Sequence, residues 1–160
     1  MVLDKVFWLP PLNTFEGFSE IKLTGGFFSD LGDELTKLTG LRSLTLENQE
    51  RLLSISPLIP DVLNQLTNIQ ILNCRISTLP RNFFNIVTLQ EIVLCDNELS
   101  DIPKEISLLT GLRELKVQQN KVVSFPSTFY LVTTLEQLDF SKNYLTHFPA
   151  RIPRNLTLLQ

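Results

Sequence analysis

One offset constrains this 160-residue chain more than any other property: shifted against itself by 23 residues, it lays apolar residue on apolar residue. Leu66, Ile69, Ile71, Cys74, Ile76, Leu79 and Pro80 fall on Leu89, Ile92, Leu94, Asn97, Leu99, Ile102 and Pro103. The same shift leads to Leu112, Leu115, Val117, Asn120, Val122, Phe125 and Pro126, and once more to Leu135, Leu138, Phe140, Asn143, Leu145, Phe148 and Pro149. Toward the start, Leu41, Leu44 and Leu46 open a unit stretched to 25 residues, and Phe18, Ile21, Leu23, Gly26, Phe28 and Leu31 open one before it. Units therefore begin at Phe18, Leu41, Leu66, Leu89, Leu112 and Leu135. A period of this length predicts stacked turns of chain, each covering the flanks of its neighbours, rather than one closed core.

Within a unit the apolar spacing argues against amphipathic helices. Leu35, Leu38, Leu41 and Leu44 advance in steps of three, and each step on an α-helix rotates backwards by roughly 60°, so the four share no face. In a coil closing once per unit, the same spacing points inward from an extended or 3₁₀-like back wall. Ile92 and Leu94, or Leu115 and Val117, alternate as in a short strand, with Val93 and Lys116 facing outward. A single unit buries too little to offset the entropy of ordering it, so stacking is required.

These positions resemble the L-x-x-L-x-L-x-x-N/C-x-L signature of leucine-rich repeats, and the resemblance covers nearly the whole chain. It implies an α/β repeat solenoid: a right-handed superhelix forming a horseshoe arc, with a concave parallel β-sheet and short 3₁₀, extended or helical convex segments. Asn97, Asn120 and Asn143 fall where each strand turns back toward the core, and an amide there can bond neighbouring main-chain groups as a ladder. Cys74 takes the same slot, for which the family accepts a small thiol. Gly26 and an Asn48-Gln49 pair read as displaced leave the ladder incomplete in the first two units. The stretch Leu99-x-x-Ile102-Pro103-x-x-Ile106-x-x-Leu109-x-x-Leu112 is similar to the intracellular repeats of small-GTPase scaffold proteins and many bacterial proteins. Phe148-Pro149-Ala150-Arg151-Ile152-Pro153 resembles the double-proline repeat of secreted bacterial effectors, which implies recognition of a host protein.

The expected organisation is an N-terminal half repeat or cap over 1–17, a solenoid over 18–155, and a further repeat or truncated end over 156–160. Phe7, Trp8, Leu9, Leu12 and Phe15 read as an improvised lid, and Leu156, Leu158 and Leu159 as a repeat that stops. Such an end suits a piece of a longer chain or end-to-end association, so a monomer or an end-to-end dimer is expected.

Outward strand positions of successive units should stand about 4.8 Å apart and align in rows. Leu72, Val93 and Cys95 then form a small apolar island, bordered by Gln70, Asn73, Lys116 and Gln118, which resembles a contact centre with a polar rim. Exposed apolar residues are common on any protein, so this reading competes with a bland one. Glu91 and Glu114 lie side by side on the same face, where they are solvated, or met by Lys116 and Arg113, or by a basic group of a partner. The expected partner surface is therefore Gln70, Leu72, Asn73, Glu91, Val93, Cys95, Glu114, Lys116 and Gln118, and the expected partner is a protein. Phe84 and Tyr130, after the inward Phe83 and Phe129, pack between units or reach the convex surface.

Catalysis finds no support in the residues. His147 is the sole histidine, which excludes multi-histidine metal sites, and Gly25-Gly26 lacks the lysine of a phosphate loop, so neither metal nor cofactor is expected. Cys74 and Cys95 face opposite ways on successive strands and are expected as free thiols, which suits a reducing compartment. A net charge of −3 without a Lys/Arg stripe argues against nucleic acid. No stretch is long and apolar enough to span a membrane, and the start of the chain lacks a signal-peptide core, so the expected location is the cytoplasm, or host cytosol for a secreted effector. The rival functional class is the substrate-recognition part of a larger enzyme, such as an effector ubiquitin ligase.

Overall fold

Leu44 and Leu46 point inward between the outward Ser43, Thr45 and Glu47, and this alternation forms a strand in the computed structural model, which describes residues 1–4, 17–26 and 38–160. Eight such strands build one parallel sheet in sequence order: β1 (Val2–Asp4), β2 (Glu20–Thr24), β3 (Ser43–Glu47), β4 (Asn68–Leu72), β5 (Glu91–Val93), β6 (Glu114–Lys116), β7 (Gln137–Asp139) and β8 (Leu158–Leu159). Consecutive parallel neighbours require a return path between strands, and from β3 onward the rest of each unit supplies it across the buried face of the sheet.

The register follows the sequence offset. Ile69 pairs with Ile92, Ile92 with Leu115, and Leu115 with Leu138, so inward side chains stack in continuous columns. These columns and the leucines at the head of each unit, among them Leu66, Leu89, Leu112 and Leu135, make up one apolar core in which every member is nearly inaccessible.

The back wall is built from 3₁₀ turns over Arg81–Asn85, Lys104–Leu108 and Phe129–Leu131. Prolines set the first two: Pro80 and Pro103 stand at the N-caps, where their fixed φ starts the turn, and their carbonyls accept from Phe83 N–H and Ile106 N–H. The unit with 25 residues differs by carrying a one-turn α-helix, Ile59–Val62, with a proline in its first turn. Phe83 and Phe84 meet edge to face at 5.3 Å and are both buried, so Phe84 packs between units, whereas Tyr130 reaches the surface beneath the Arg151 guanidinium, 5.5 Å from its ring centre.

Both ends extend the sheet. Val2–Asp4 pairs with Lys22–Thr24, a strand the sequence reading did not single out in the N-terminal half repeat, and Leu158–Leu159 pairs with Gln137–Leu138. Phe18, aligned with the fully buried Leu41, is 42% exposed, which departs from its expected inward position. The expected lid of Phe7, Trp8, Leu9, Leu12 and Phe15, together with Phe28, Leu31 and Leu35, lies outside the described residues. Among the described residues no helix is long and apolar enough to cross a membrane.

Candidate interaction face

Because β4, β5 and β6 pair in register, residues far apart in sequence become neighbours on the face opposite the core. Gln70 stands beside Val93 and Val93 beside Lys116, while Asn68, Glu91 and Glu114 form the row before them. The next row, at the strand ends or just past them, runs Thr24, Glu47, Leu72, Cys95, Gln118 and Ser141, and its outer lip is Gly25, Asn48, Asn73, Asp96, Gln119 and Lys142. Gln70, Leu72, Glu91, Val93, Glu114, Lys116 and Gln118 are all partly exposed, and Asn73 is exposed.

The polar groups of this face are tied to one another. Glu91 and Glu114 are direct partners across β5 and β6, a like-charge pair that destabilises a sheet unless each carboxylate is otherwise held. Glu91 is held by neutral donors: Asn68 Nδ2 at 2.6 Å and Gln70 Nε2 at 2.8 Å, one to each carboxylate oxygen. Glu114 is held by Lys116, whose Nζ is 2.5 Å away, and that carboxylate keeps the ammonium above the usual lysine range, against the opposing effect of partial burial. Arg113, the other candidate cation, turns to Glu136 at 2.8 Å instead. At the N-terminal end of the face Lys22 and Glu47 pair at 2.6 Å.

Two outward positions differ from expectation. Cys95 is only 9% exposed, so it does not offer contact area to the apolar island, which is reduced to Leu72 and Val93. Its side chain is shorter than those of Leu72 and Gln118, which flank it in the same row. Burial raises its pKa above the ordinary thiol value, with Asp139 and Asp96 adding to the shift. Asp139, in the central row, is likewise sunk to 7% exposure, its carboxylate accepting from Ser141 N–H at 2.8 Å.

Behind the row runs a second network, facing the core. Asn120 Nδ2 donates to the carbonyls of Leu94 (2.8 Å), Val117 (2.9 Å) and Gln118 (3.2 Å), while its Oδ1 accepts from Leu99 N–H at 3.0 Å. Asn97 and Asn143 repeat the arrangement one unit to either side, reaching Ile71 and Val117 and accepting from Ile76 and Val122. An asparagine in this slot ties each unit to the one before it through both ends of its amide.

Solved structures built on the same arrangement identify the class. The chain superposes on a leucine-rich-repeat protein of Leptospira interrogans with a TM-score of 0.83 at 25% identity, over 97% of its own length and 40% of that protein's. The leucine-rich repeat domain of the type III effector XopL follows, with a TM-score of 0.79 at 20% identity, covering 99% of this chain and 67% of that one. An internalin from Listeria monocytogenes gives 0.62 at 18% identity, over 98% of this chain and 51% of the internalin. The chain is a leucine-rich-repeat solenoid. Neither a protein-family model nor a curated protein matches its sequence.

Two features of this leucine-rich repeat escaped the sequence. Gln49 is not displaced: it fills the asparagine slot of its unit, donating to Leu23 and Glu47 carbonyls at 3.3 Å each, so the ladder reaches further toward the N-terminus than expected. Its Oε1 is buried with no hydrogen-bond partner among the described residues. Cys74 also occupies the slot, with long contacts from its sulfur to Leu46 O (3.9 Å) and Leu72 O (3.4 Å), and burial pushes its pKa up to about 11. Both cysteines are free.

The second feature is the turn after each strand. Gly25, Asn48, Asn73, Asp96, Gln119 and Lys142 all have positive φ, between 48° and 59°. Glycine, asparagine and aspartate tolerate that region, and four of the six positions advertise it. Gln119 and Lys142 do not, which is why the residue types alone did not reveal the pattern. Among the described residues no group of three or more His, Cys, Asp and Glu converges as a metal site.

Proposed function

We propose that this leucine-rich repeat is a protein-interaction module whose concave face receives the partner, with Leu72 and Val93 at the centre of contact and Gln70, Asn73, Lys116 and Gln118 as its polar rim. The observation that carries this reading is the register of β4, β5 and β6: it gathers side chains from three separate units onto one rigid face, exposing two aliphatic groups inside a ring of hydrogen-bonding ones. A buried apolar centre excluded from water by a polar rim is the arrangement from which protein contacts draw most of their affinity.

The sheet is held from behind by a dense core, so the face needs no reorganisation to bind. Val93→Arg places a charge in the middle of the contact without touching that core. Affinity for a partner recovered by the intact protein should fall roughly a hundredfold, as for loss of a central hot spot, while the thermal midpoint stays within about 2 °C. Equal recovery by wild type and variant would remove the face from consideration.

A second reading concerns context. The chain spans 40% of the Leptospira protein, 67% of the XopL domain and 51% of the internalin. In this reading it is the recognition part of a larger protein, such as a bacterial effector acting in host cytosol or an effector enzyme whose catalytic part lies elsewhere. Two buried free thiols suit a reducing compartment. Sequencing the complete reading frame decides between a self-sufficient module and one segment of a larger protein.

A further inference from the structure

Charge is not spread evenly over this molecule. The outward rows of β2 to β7 and their lip carry six carboxylates, from Glu20 to Asp139, against the three ammonium groups of Lys22, Lys116 and Lys142. Their surplus equals the net charge of −3 for the entire chain, so all the remaining charged residues cancel. A surplus of one sign on a face attracts a partner of the opposite sign and orients it on approach.

Near the apolar centre the surplus is also held in place. Both oxygens of Glu91 are fixed by uncharged amides, Asn68 and Gln70, which orient the carboxylate without neutralising it. Lys116 is engaged by Glu114, and Glu114 stands directly opposite Glu91 on the neighbouring strand. An ordered carboxylate next to a partly exposed valine is complementary to a cationic side chain that follows or precedes an apolar one.

Resting on the concave-face reading above, the geometry points to a basic polypeptide segment as the occupant: one Lys or Arg side chain binds over Glu91 and Glu114 while a neighbouring apolar side chain covers Leu72 and Val93. An extended segment rises about 3.3 Å per residue, so one crossing the sheet covers the step of about 4.8 Å from one unit to the next in one or two residues. No group of three metal-binding side chains converges among the described residues, so an organic cation fits the site better than a metal ion.

The probe is a phage-displayed library of random peptides about twelve residues long, selected on the full chain, with the enriched sequences synthesised and titrated by fluorescence anisotropy. Enriched peptides should carry net positive charge, with Lys or Arg next to a large apolar residue. Their affinity should fall roughly tenfold between about 50 and 500 mM salt. Glu91→Gln should cost a similar factor, and Glu114→Gln, which releases Lys116 as a competing cation, provides the same test in a second background. Val93→Arg should leave no measurable binding. Peptides that depend on Val93 but are neutral or acidic, keep their affinity in salt and ignore both glutamine variants would overturn the basic occupant and leave the concave-face reading standing. Binders indifferent to Val93→Arg, or a selection that enriches nothing, would overturn both.

Discussion

Asn120 is buried to 5% exposure and bonded on all sides, three carbonyls to its amide nitrogen and one N–H to its oxygen. Three of those bonds, to Leu94 O, Val117 O and Leu99 N–H, are buried, where water cannot replace the lost partner. Asn120→Ala should therefore cost on the order of 1 to 3 kcal/mol, read as a lower urea midpoint at unchanged slope. An unaltered midpoint would mean the ladder contributes nothing. That the slot exists was legible, because the 23-residue offset superimposes Asn97, Asn120 and Asn143 on one another. That Gln49 belongs to it was not, since a longer side chain satisfies the same carbonyls only through a geometry its residue type does not announce.

Each unit is a strand, a left-handed turn and a back-wall segment, and the turn is the strained part. Gln119 holds φ at 58°, where an L-residue with a long side chain is disfavoured, and its side chain makes only a 3.4 Å contact with Lys142. Its backbone N–H, bonded to Ser141 O at 3.0 Å, is unaffected by substitution. Gln119→Asn should stabilise the protein by about 0.5 to 1 kcal/mol, because asparagine visits this region far more readily. Chemical denaturation of the two proteins side by side measures it, and a midpoint that does not rise would show the turn to be relaxed as it stands. The flank beyond the turn adds a charged rung across three units: Glu98 accepts from Lys121 at 2.8 Å and from Arg75 at 3.3 Å, and these two cations hold its carboxyl below the usual range.

In a solenoid each unit touches only its neighbours, so local differences in the ladder become differences in local stability. Cys74 and Gln49 offer the β3 and β4 units weaker or incompletely paired links, whereas Asn97, Asn120 and Asn143 hold the β5, β6 and β7 units with short amide bonds. Hydrogen exchange should accordingly be faster at the backbone amides of Leu44, Leu46 and Ile69 than at those of Ile92 and Leu115. Uniform protection across these strands would show that the core, and not the ladder, sets the order of opening. The same gradient leaves the proposed contact centre on Leu72 and Val93 at the junction between the looser and the tighter halves.

Period, strand register and the inward columns could all be read from the chain, because a solenoid's core is made of contacts between copies of one pattern and the pattern is local. The concave rows follow from register alone, so the repeat offset already makes neighbours of Gln70, Val93 and Lys116. What side chains do once they are neighbours depends on their relative lengths and on donors brought in from other units. Cys95 sinks between Leu72 and Gln118, Asp139 folds back onto Ser141 N–H, and Glu91 is fixed by Asn68 and Gln70, each an outcome of packing in three dimensions that no spacing along the chain encodes.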